Sequence, residues 1–322
     1  DATEAVVKEA VKKGCNLIVA HHPIVFRGLK KITGKNYVEK TIITAIKNDI
    51  DIYAIHTNLD NVLHGVNNKI ADKLSLENRQ ILLPKQGLLQ KLAVFVPDIH
   101  KQQLADALFE AGAGHIGHYS ECSISSNGTG SFKGDTDSNP FVGKPGLRHY
   151  EPESRLEVIF PHWLQTKVLA AMKKAHPYEE VAYDLYPLAN ALENTGSGML
   201  ATLRKPMETQ AFLNQLKTIF KVPVVRHSRI LKKKVQKIAI CGGAGSFLTG
   251  AAIAAGADVY LTADLKYHEF FDADEQLVLA DIGHYESEQY TIDLLFEVLK
   301  QNFPTFAVQK TVVNTNPVKY LL

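Results

Sequence analysis

The feature that most constrains the fold is a set of short apolar runs that end in polar residues. Residues 16–20 (NLIVA) precede His21, His22 and Pro23, and residues 52–55 (IYAI) precede a polar turn that ends near Asp60. An uninterrupted apolar run of this length is typical of a strand buried on both faces of a parallel sheet. Open α/β sheets bind ligands beyond the carboxyl ends of such strands. The sequence therefore predicts an α/β fold with polar side chains at the strand ends.

The same pattern returns in the second half of the chain. Further strands are predicted at residues 199–203, 222–225, 237–240, 258–261 and 277–280. Residues 13–22, which end in two histidines, align with residues 255–264, which end in Ala263 and Asp264. In each copy a helix and a second strand follow, and these second strands end in HTNLD and GHYESE. This repeat predicts two α/β halves whose strand ends meet at one cleft.

A different order of elements lies between the two halves. Strands are predicted at 91–97, 155–160 and 181–188, helices at 100–111 and 162–175, and a polar Gly/Ser/Asn-rich stretch at 112–146. If that stretch carries two short strands, the order is the β-α-β-β-α-β pattern of ferredoxin-like domains. We therefore predict a discontinuous α/β domain, residues 1–86 and 191–322, with an inserted α+β domain at residues 87–190.

Composition limits the classes of partner and compartment. A chain of 322 residues is longer than a domain with one hydrophobic core usually is, which agrees with two domains. The formal net charge of +2 argues against nucleic-acid binding through the overall electrostatic field of the protein. No apolar run reaches the ~20 residues that a membrane helix needs. Three widely spaced cysteines give no disulfide framework and favour a reducing, cytoplasmic location.

The polar residues at the strand ends predict a metal site. His284 and Glu288 are four residues apart on a predicted helix, so both lie on one face. Taken singly, each candidate has an ordinary explanation: charge at a helix start, a helix-capping Asp60, or a buried histidine. Taken together, His21, His22, Asp60, His284 and Glu288 follow three strand ends that we expect at one edge of one sheet. Their mixed imidazole and carboxylate donors suit Zn, Mn, Fe or Co.

Five ligands are too many for one catalytic metal with open positions. They suit two ions about 3.5–4 Å apart that share a carboxylate and generate a bridging hydroxide. His56 and His268 lie beside the ligand turns and are candidates for orienting ligands, for acid–base catalysis or for contact with the substrate, with a structural role as the alternative. The loop GGAGS at residues 242–246 matches no nucleotide fingerprint, and close packing explains it better than phosphate binding.

At these residues the sequence resembles the NIF-three-like dinuclear-metal proteins, whose bacterial members carry the label GTP cyclohydrolase I type 2 homologue. The similar stretches are NLIVAHHPIVFRGLKKI, IHTNLDN, GGAGSF, GADVYLTADLKYHE and GHYESE, and in the insert GHYSECSISSNGTGSF and AHPYEEVAYDLYPL. The resemblance implies metal ligands at the five positions above, with the glutamate bridging. It also implies an inserted PII-like domain and a toroidal homohexamer whose metal sites face an inner cavity.

Two departures from the family pattern are visible. The chain starts with a helix rather than with the family's first strand, so we expect a short N-terminal piece to be missing. Ala263 stands where the family pattern has glycine, and we expect little consequence.

Two functions remain open from the sequence. The first is a dinuclear metal-dependent hydrolase acting on a small molecule such as a nucleotide, for which the family label implies attack on the purine C8 of GTP with loss of formate. The second is a metal-binding regulatory or scaffold assembly whose PII-like insert binds an effector or a partner. A nucleic-acid or protein adaptor would need a localised basic face that the balanced charge does not suggest.

Overall fold

The computed structural model describes residues 1–321, which form two compact units. The first unit consists of Asp1–Pro84 together with the chain from Glu193 onward, and the second is Lys85–Leu192. The predicted inserted domain, residues 87–190, falls within the second unit. The α/β class predicted from the apolar runs is confirmed, since both units combine helices with hydrogen-bonded sheets.

The first unit contains two separate sheets. Its elements are α1 (Glu4–Lys12), β1 (Leu17–Ala20), α2 (Tyr37–Lys47), β2 (Asp51–Ala54), α3 (Thr57–Asp60), α4 (Val66–Lys73), β3 (Glu77–Lys85), then β8 (Leu192–Glu208), α7 (Thr209–Phe220), β9 (Arg226–His227), β10 (Lys234–Ala244), α8 (Thr249–Ala254), β11 (Val259–Ala263), β12 (Val278–Asp281), α9 (His284–Glu288) and α10 (Thr291–Asn302). The larger sheet has the order β3-β8-β10-β11-β12-β9, and β1 pairs with β2 in a two-stranded parallel sheet.

The expectation that all ligand-bearing strands share one sheet is wrong. In the larger sheet, β10 is already paired with β8 and β11, and β12 is paired with β11 and β9. No edge of the central parallel strands therefore remains for β1. The predicted strand at 222–225 is also misplaced, because the antiparallel partner of β12 is Arg226–His227.

The two sheets differ in how deeply they are buried. In β10, Ile238 and Ile240 face one apolar core while Ala239 and Cys241 face another, so the strand is covered on both sides as predicted. The expectation of full burial is wrong for β1 and β2, where Leu17 and Tyr53 remain half exposed. Two short strands have too few neighbours to cover both of their faces.

The second unit has the ferredoxin-like order. Its elements are β4 (Leu89–Pro97), α5 (Lys101–Glu110), β5 (Ser123–Lys133), β6 (Arg148–Pro161), α6 (Gln165–Ala175) and β7 (Tyr183–Leu188). The antiparallel sheet has the order β5-β6-β4-β7, and α5 and α6 cover one face, where Leu92, Leu108, Leu156 and Met172 are fully or almost fully buried. The polar stretch carries one long strand rather than two short ones, because β5 pairs with β6 over eleven residues.

None of the helices among residues 1–321 combines the length and the hydropathy that crossing a bilayer requires.

Candidate metal centre

The two adjacent histidines are brought together because β1 ends at Ala20. Beyond that residue the strict alternation of side chains no longer applies, and the rings of His21 and His22 lie 4.5 Å apart, edge to face. The backbone is still tied to the neighbouring chain segment, since the His56 amide donates to the carbonyl of His21 at 2.8 Å. Both histidines therefore stay at one strand end and point to one place.

Asp60 reaches the same place from the end of β2. The chain turns at His56, whose backbone has a φ of 42°, and then enters the single turn of α3 that ends at Asp60. Asp60 Oδ1 lies 3.4 Å from His21 Nε2. The capping role that an isolated Asp60 would have is not observed, because α4 begins after Gly65 without a side-chain cap.

His284 and Glu288 occupy one face of α9, as their spacing predicted. His284 Nε2 lies 3.3 Å from Glu288 Oε2. The helix follows β12 at the carboxyl end of the larger sheet, so it presents both side chains toward the ends of β1 and β2. The structure thus brings all five predicted ligands into one cluster.

Glu288 Oε2 is the centre of this cluster. His22 Nε2 lies 3.2 Å from it, His284 Nε2 3.3 Å and His21 Nε2 3.6 Å. His22 Nε2 and His284 Nε2 are themselves 3.2 Å apart. Donor atoms bound at about 2.05 Å around a tetrahedral ion are separated by roughly 3.3 Å, so these spacings are those of atoms that share a cation.

The buried polar atoms of the cluster fit a bound cation. His21 Nε2, Asp60 Oδ1 and Glu288 Oε2 are buried, and none has a hydrogen-bond partner within the described residues. A buried polar atom without a partner is costly, and a metal ion would satisfy all three. His21, His22 and Glu288 in particular offer ligand atoms that all lie within 4.8 Å of one another.

The electrostatics of the cluster point in the same direction. Burial alone would raise the pKa of Glu288, but contacts with His21, His22 and His284 outweigh burial and hold that pKa well below its usual range. Contact with the same carboxylate raises the pKa of His284 to about 9, whereas burial raises the pKa of Asp60 to about 6. Glu288 therefore stays ionised beside a His284 imidazole that holds its proton more tightly than usual, and a divalent cation can replace that proton.

His56 lies beside the ligands, as the sequence predicted. Its ring centroid is 5.4 Å from that of His22 and 5.8 Å from that of His21, and Phe26 packs against its other side at 5.7 Å. Burial lowers the pKa of His56 below its ordinary value. His56 is consequently a neutral imidazole near pH 7 at the edge of the cluster.

His268 is not brought to the cluster. Its side chain is exposed on the 3₁₀ helix Tyr267–Ala273, where the ring stacks on Phe271 and meets Tyr267 edge to face. The place beside His284 is taken instead by Asp264, whose Oδ2 lies 2.7 Å from His284 Nδ1. Sequence reasoning missed this residue, although the internal repeat aligned Asp264 with the ligand His22.

The glycine-rich segment packs directly against the ligands. It belongs to β10 through Ala244 rather than to a turn, and the Gly243 amide donates to Ser287 Oγ at 2.9 Å. Gly243 has a φ of 64°, and a Cβ there would lie 2.5 Å from Glu288 Oε1. Close packing, which the sequence favoured over phosphate binding, is therefore what this segment provides.

One side of the cluster remains accessible. The His284 side chain is 38% exposed, and the other two histidines and Glu288 join it in lining a cavity of about 1400 Å³. An ion bound here would keep positions open for water or substrate, as catalytic metal sites do.

Comparison with known proteins assigns the chain to a family. A family model described as Duf34/NIF3 (NGG1p interacting factor 3) matches residues 1–317. The chain belongs to the Duf34/NIF3 family. The resemblance predicted from the strand-end motifs is thereby confirmed over nearly the whole chain.

Relatives of this Duf34/NIF3 protein include curated proteins and a solved structure. A Halalkalibacterium halodurans protein named GTP cyclohydrolase 1 type 2 homolog is 42% identical over 326 residues, covering 100% of this chain and 88% of the relative. A Bacillus subtilis protein of the same name is 42% identical over 287 residues, covering 88% of this chain and 77% of the relative. The crystal structure of a Bacillus cereus protein related to NIF3 matches with a TM-score of 0.84 and 40% identity, covering 100% of this chain and 87% of that one.

Proposed function

We propose that this chain is a dinuclear metal-dependent hydrolase whose ions are held by His21, His22, Asp60, His284 and Glu288. The observation that carries the proposal is the convergence of three imidazole nitrogens within 3.6 Å of one buried, unpartnered oxygen, Glu288 Oε2.

Glu288 Oε2 is close to all three histidines, and two further donor contacts lie beside it. Asp60 Oδ1 lies 3.4 Å from His21 Nε2, and His22 Nε2 lies 3.2 Å from His284 Nε2. A carboxylate among this many donors suits a bridging ligand, as in two-metal sites. The nitrogen and carboxylate donors favour Zn, Mn, Fe or Co over Mg or Ca.

Such a pair of ions, when bound, supplies Lewis-acid activation of water at neutral pH. The chain's own residues then have two tasks. Glu288 and the three histidines hold the donor geometry. His56, whose pKa is lowered and whose ring lies 5.4 Å from that of His22 and 5.8 Å from that of His21, would accept a proton from a reacting group beside the ligands.

We propose a nucleotide, with GTP as the first candidate, as the substrate. The support is the printed name of the relatives from Halalkalibacterium halodurans and Bacillus subtilis, GTP cyclohydrolase 1 type 2 homolog. Hydrolysis at the purine C8 of GTP would release formate, which gives the assay a specific product.

Turnover tests this proposal. Protein reloaded with Mn, Zn or Fe is incubated with GTP, other nucleotides and phosphoesters, and formate and phosphate are measured. Glu288→Gln should reduce the rate by more than about 100-fold, because removal of a bridging metal ligand should cost more than removal of a residue that only hydrogen-bonds to a ligand. Glu77→Gln, an exposed glutamate of the same unit, should leave the rate unchanged. The hydrolase proposal is wrong if no compound is turned over or if Glu288→Gln keeps the full rate.

The alternative function is a regulatory assembly in which the insert acts as a PII-like domain for an effector or a partner. The supporting observation is that residues Lys85–Leu192 form a compact unit with its own apolar core and ferredoxin-like strand order. A variant without residues 87–190 separates the two functions. A hydrolase should keep some metal-dependent turnover, whereas a regulator should lose its effector response.

We also propose that copies of this chain assemble, as a toroidal homohexamer, in the cytoplasm. Tyr267 and Phe271 support an assembly surface, since they are in ring contact with each other and are 73% and 66% exposed. The three cysteines, all free, support a reducing compartment. Light scattering coupled to size-exclusion chromatography tests the assembly, and a monomer at micromolar concentration would contradict it.

A further inference from the structure

Asp264 contacts a ligand histidine from the side that faces away from the other donors. It follows the last residue of β11, has a φ of 57°, and its side chain is half exposed. Its Oδ2 lies 2.7 Å from His284 Nδ1, while His284 Nε2 faces Glu288 Oε2 at 3.3 Å. The two ring nitrogens of one histidine therefore have different partners.

We propose that Asp264 is a positioning residue that fixes the tautomer and orientation of His284 for metal binding, an inference that rests on the proposed metal centre. An ionised carboxylate can only accept hydrogen bonds, so the proton of a neutral His284 must sit on Nδ1. The lone pair of Nε2, beside Glu288 Oε2, would then be free to bind an ion. Carboxylate–histidine pairs of this kind set ligand orientation and raise ligand basicity.

The buried carboxylate of Asp281, which pairs with the half-exposed Arg226, holds Asp264 and His284 relative to each other. Asp281, only 4% exposed, accepts from the Leu265 amide at 3.0 Å through Oδ2 and from the Gly283 amide at 2.9 Å through Oδ1. Leu265 follows Asp264, and Gly283 precedes His284. The Arg226 guanidinium pairs with Asp281 and donates to the Leu265 carbonyl at 2.7 Å. One carboxylate thus fixes both turns from which the pair projects.

The internal repeat relates Asp264 to one of the proposed ligands. The residue aligned with Asp264 in the first half of the chain is His22, which lies among the ligands themselves. Unlike His284 Nδ1, which contacts Asp264, His21 Nδ1 is buried and has no hydrogen-bond partner in the described chain. The end of β1 therefore supplies a donor, His22, whereas the equivalent end of β11 supplies Asp264, which supports the donor His284.

The test compares metal binding in Asp264→Ala, Asp264→Asn and Asp272→Asn. Asp272 is an exposed carboxylate on the 3₁₀ helix after the same turn, so its variant removes an equal charge without touching His284. Zn and Mn affinities are measured by competition with a chromophoric chelator. Asp264→Ala should lose about 10–100-fold in affinity. Asp264→Asn should lose less, because its amide oxygen still accepts from Nδ1, and Asp272→Asn should match the unsubstituted protein.

A second readout reports the tautomer directly. Histidine ¹⁵N spectra of the zinc-loaded protein should show His284 protonated at Nδ1, and Asp264→Ala should change or broaden that signal. If Asp264→Ala binds metal with unchanged affinity and an unchanged spectrum while Glu288→Gln loses metal, the positioning role is wrong and the metal centre stands. If the unsubstituted protein binds no more metal than Glu288→Gln, both proposals are wrong.

Discussion

Replacing Gly243 by alanine should disable the metal centre without removing any ligand. The added Cβ would lie 2.5 Å from Glu288 Oε1 and 3.2 Å from two atoms of the His284 ring. Because real contacts of this kind stay above 3.0 Å, the Glu288 carboxylate must move by at least about 0.5 Å, which exceeds the ~0.2 Å tolerance of metal–ligand distances. The left-handed backbone, at a φ of 64°, adds roughly 1–2 kcal/mol of strain.

The expected loss of metal affinity is at least about tenfold, which corresponds to about 1.4 kcal/mol. Gly250→Ala is the matched control, since Gly250 lies in helix α8 with open space around its Cβ position. That variant should bind metal normally and gain about 0.5–1 kcal/mol of stability from the helix preference of alanine. Chelator competition gives the affinities, and urea unfolding of chelator-treated protein gives the stabilities. A Gly243→Ala protein that binds metal as tightly as the Gly250→Ala control would refute the steric reasoning.

Three further outcomes are expected. Chelation should lower the Tm of metal-loaded protein by roughly 5–10 °C if metal had been present at 100 times its Kd, and Glu288→Gln should show no such chelator effect. Leu108→Ala should cost the second unit about 2–5 kcal/mol, because this side chain is fully buried there, and fluorescence of Trp163, the single tryptophan, reports that unfolding while metal content stays unchanged. Hydrogen bonds from Thr33 lower the pKa of Glu39 to about 2, so its contribution to stability is complete above about pH 4.5 and disappears as the pH falls through 2. The gap between the urea midpoints of unsubstituted protein and Glu39→Gln should therefore shrink between pH 6 and pH 3, and a constant gap would exclude this carboxylate as its cause.

The ligand spacing on α9 could be predicted because it depends only on local geometry. Residues four apart on any helix lie on one face, so His284 and Glu288 were paired before their surroundings were known. The order of elements in the second unit was readable for a similar reason, since alternating strand and helix patterns follow from each segment's own periodicity. The error there, two short strands in place of β5, arose because a Gly/Ser-rich strand has little apolar pattern of its own.

The separation of β1 and β2 from the larger sheet could not be read from the sequence. Apolar runs indicate that a strand forms, but the available hydrogen-bonding edges decide which sheet it joins, and here β8 and β9 already occupy the edges next to β10 and β12. Asp264 was overlooked on similar grounds. An aspartate after a strand is common in protein sequences and by itself indicates no function. Its role becomes visible only in the 2.7 Å contact with a histidine twenty residues later.

By itself, the sequence determined the kinds of donor atom, their places at strand ends and the register of the one helix that carries two of them. Only the tertiary structure decided that the oxygen of Glu288 lies 3.2 Å from the nitrogen of His22, 266 positions earlier in the chain. Local periodicity fixes neighbours within a few residues. The approach of distant segments depends instead on how the cores pack, and here that packing brings the end of a two-stranded sheet against a helix that follows a six-stranded one.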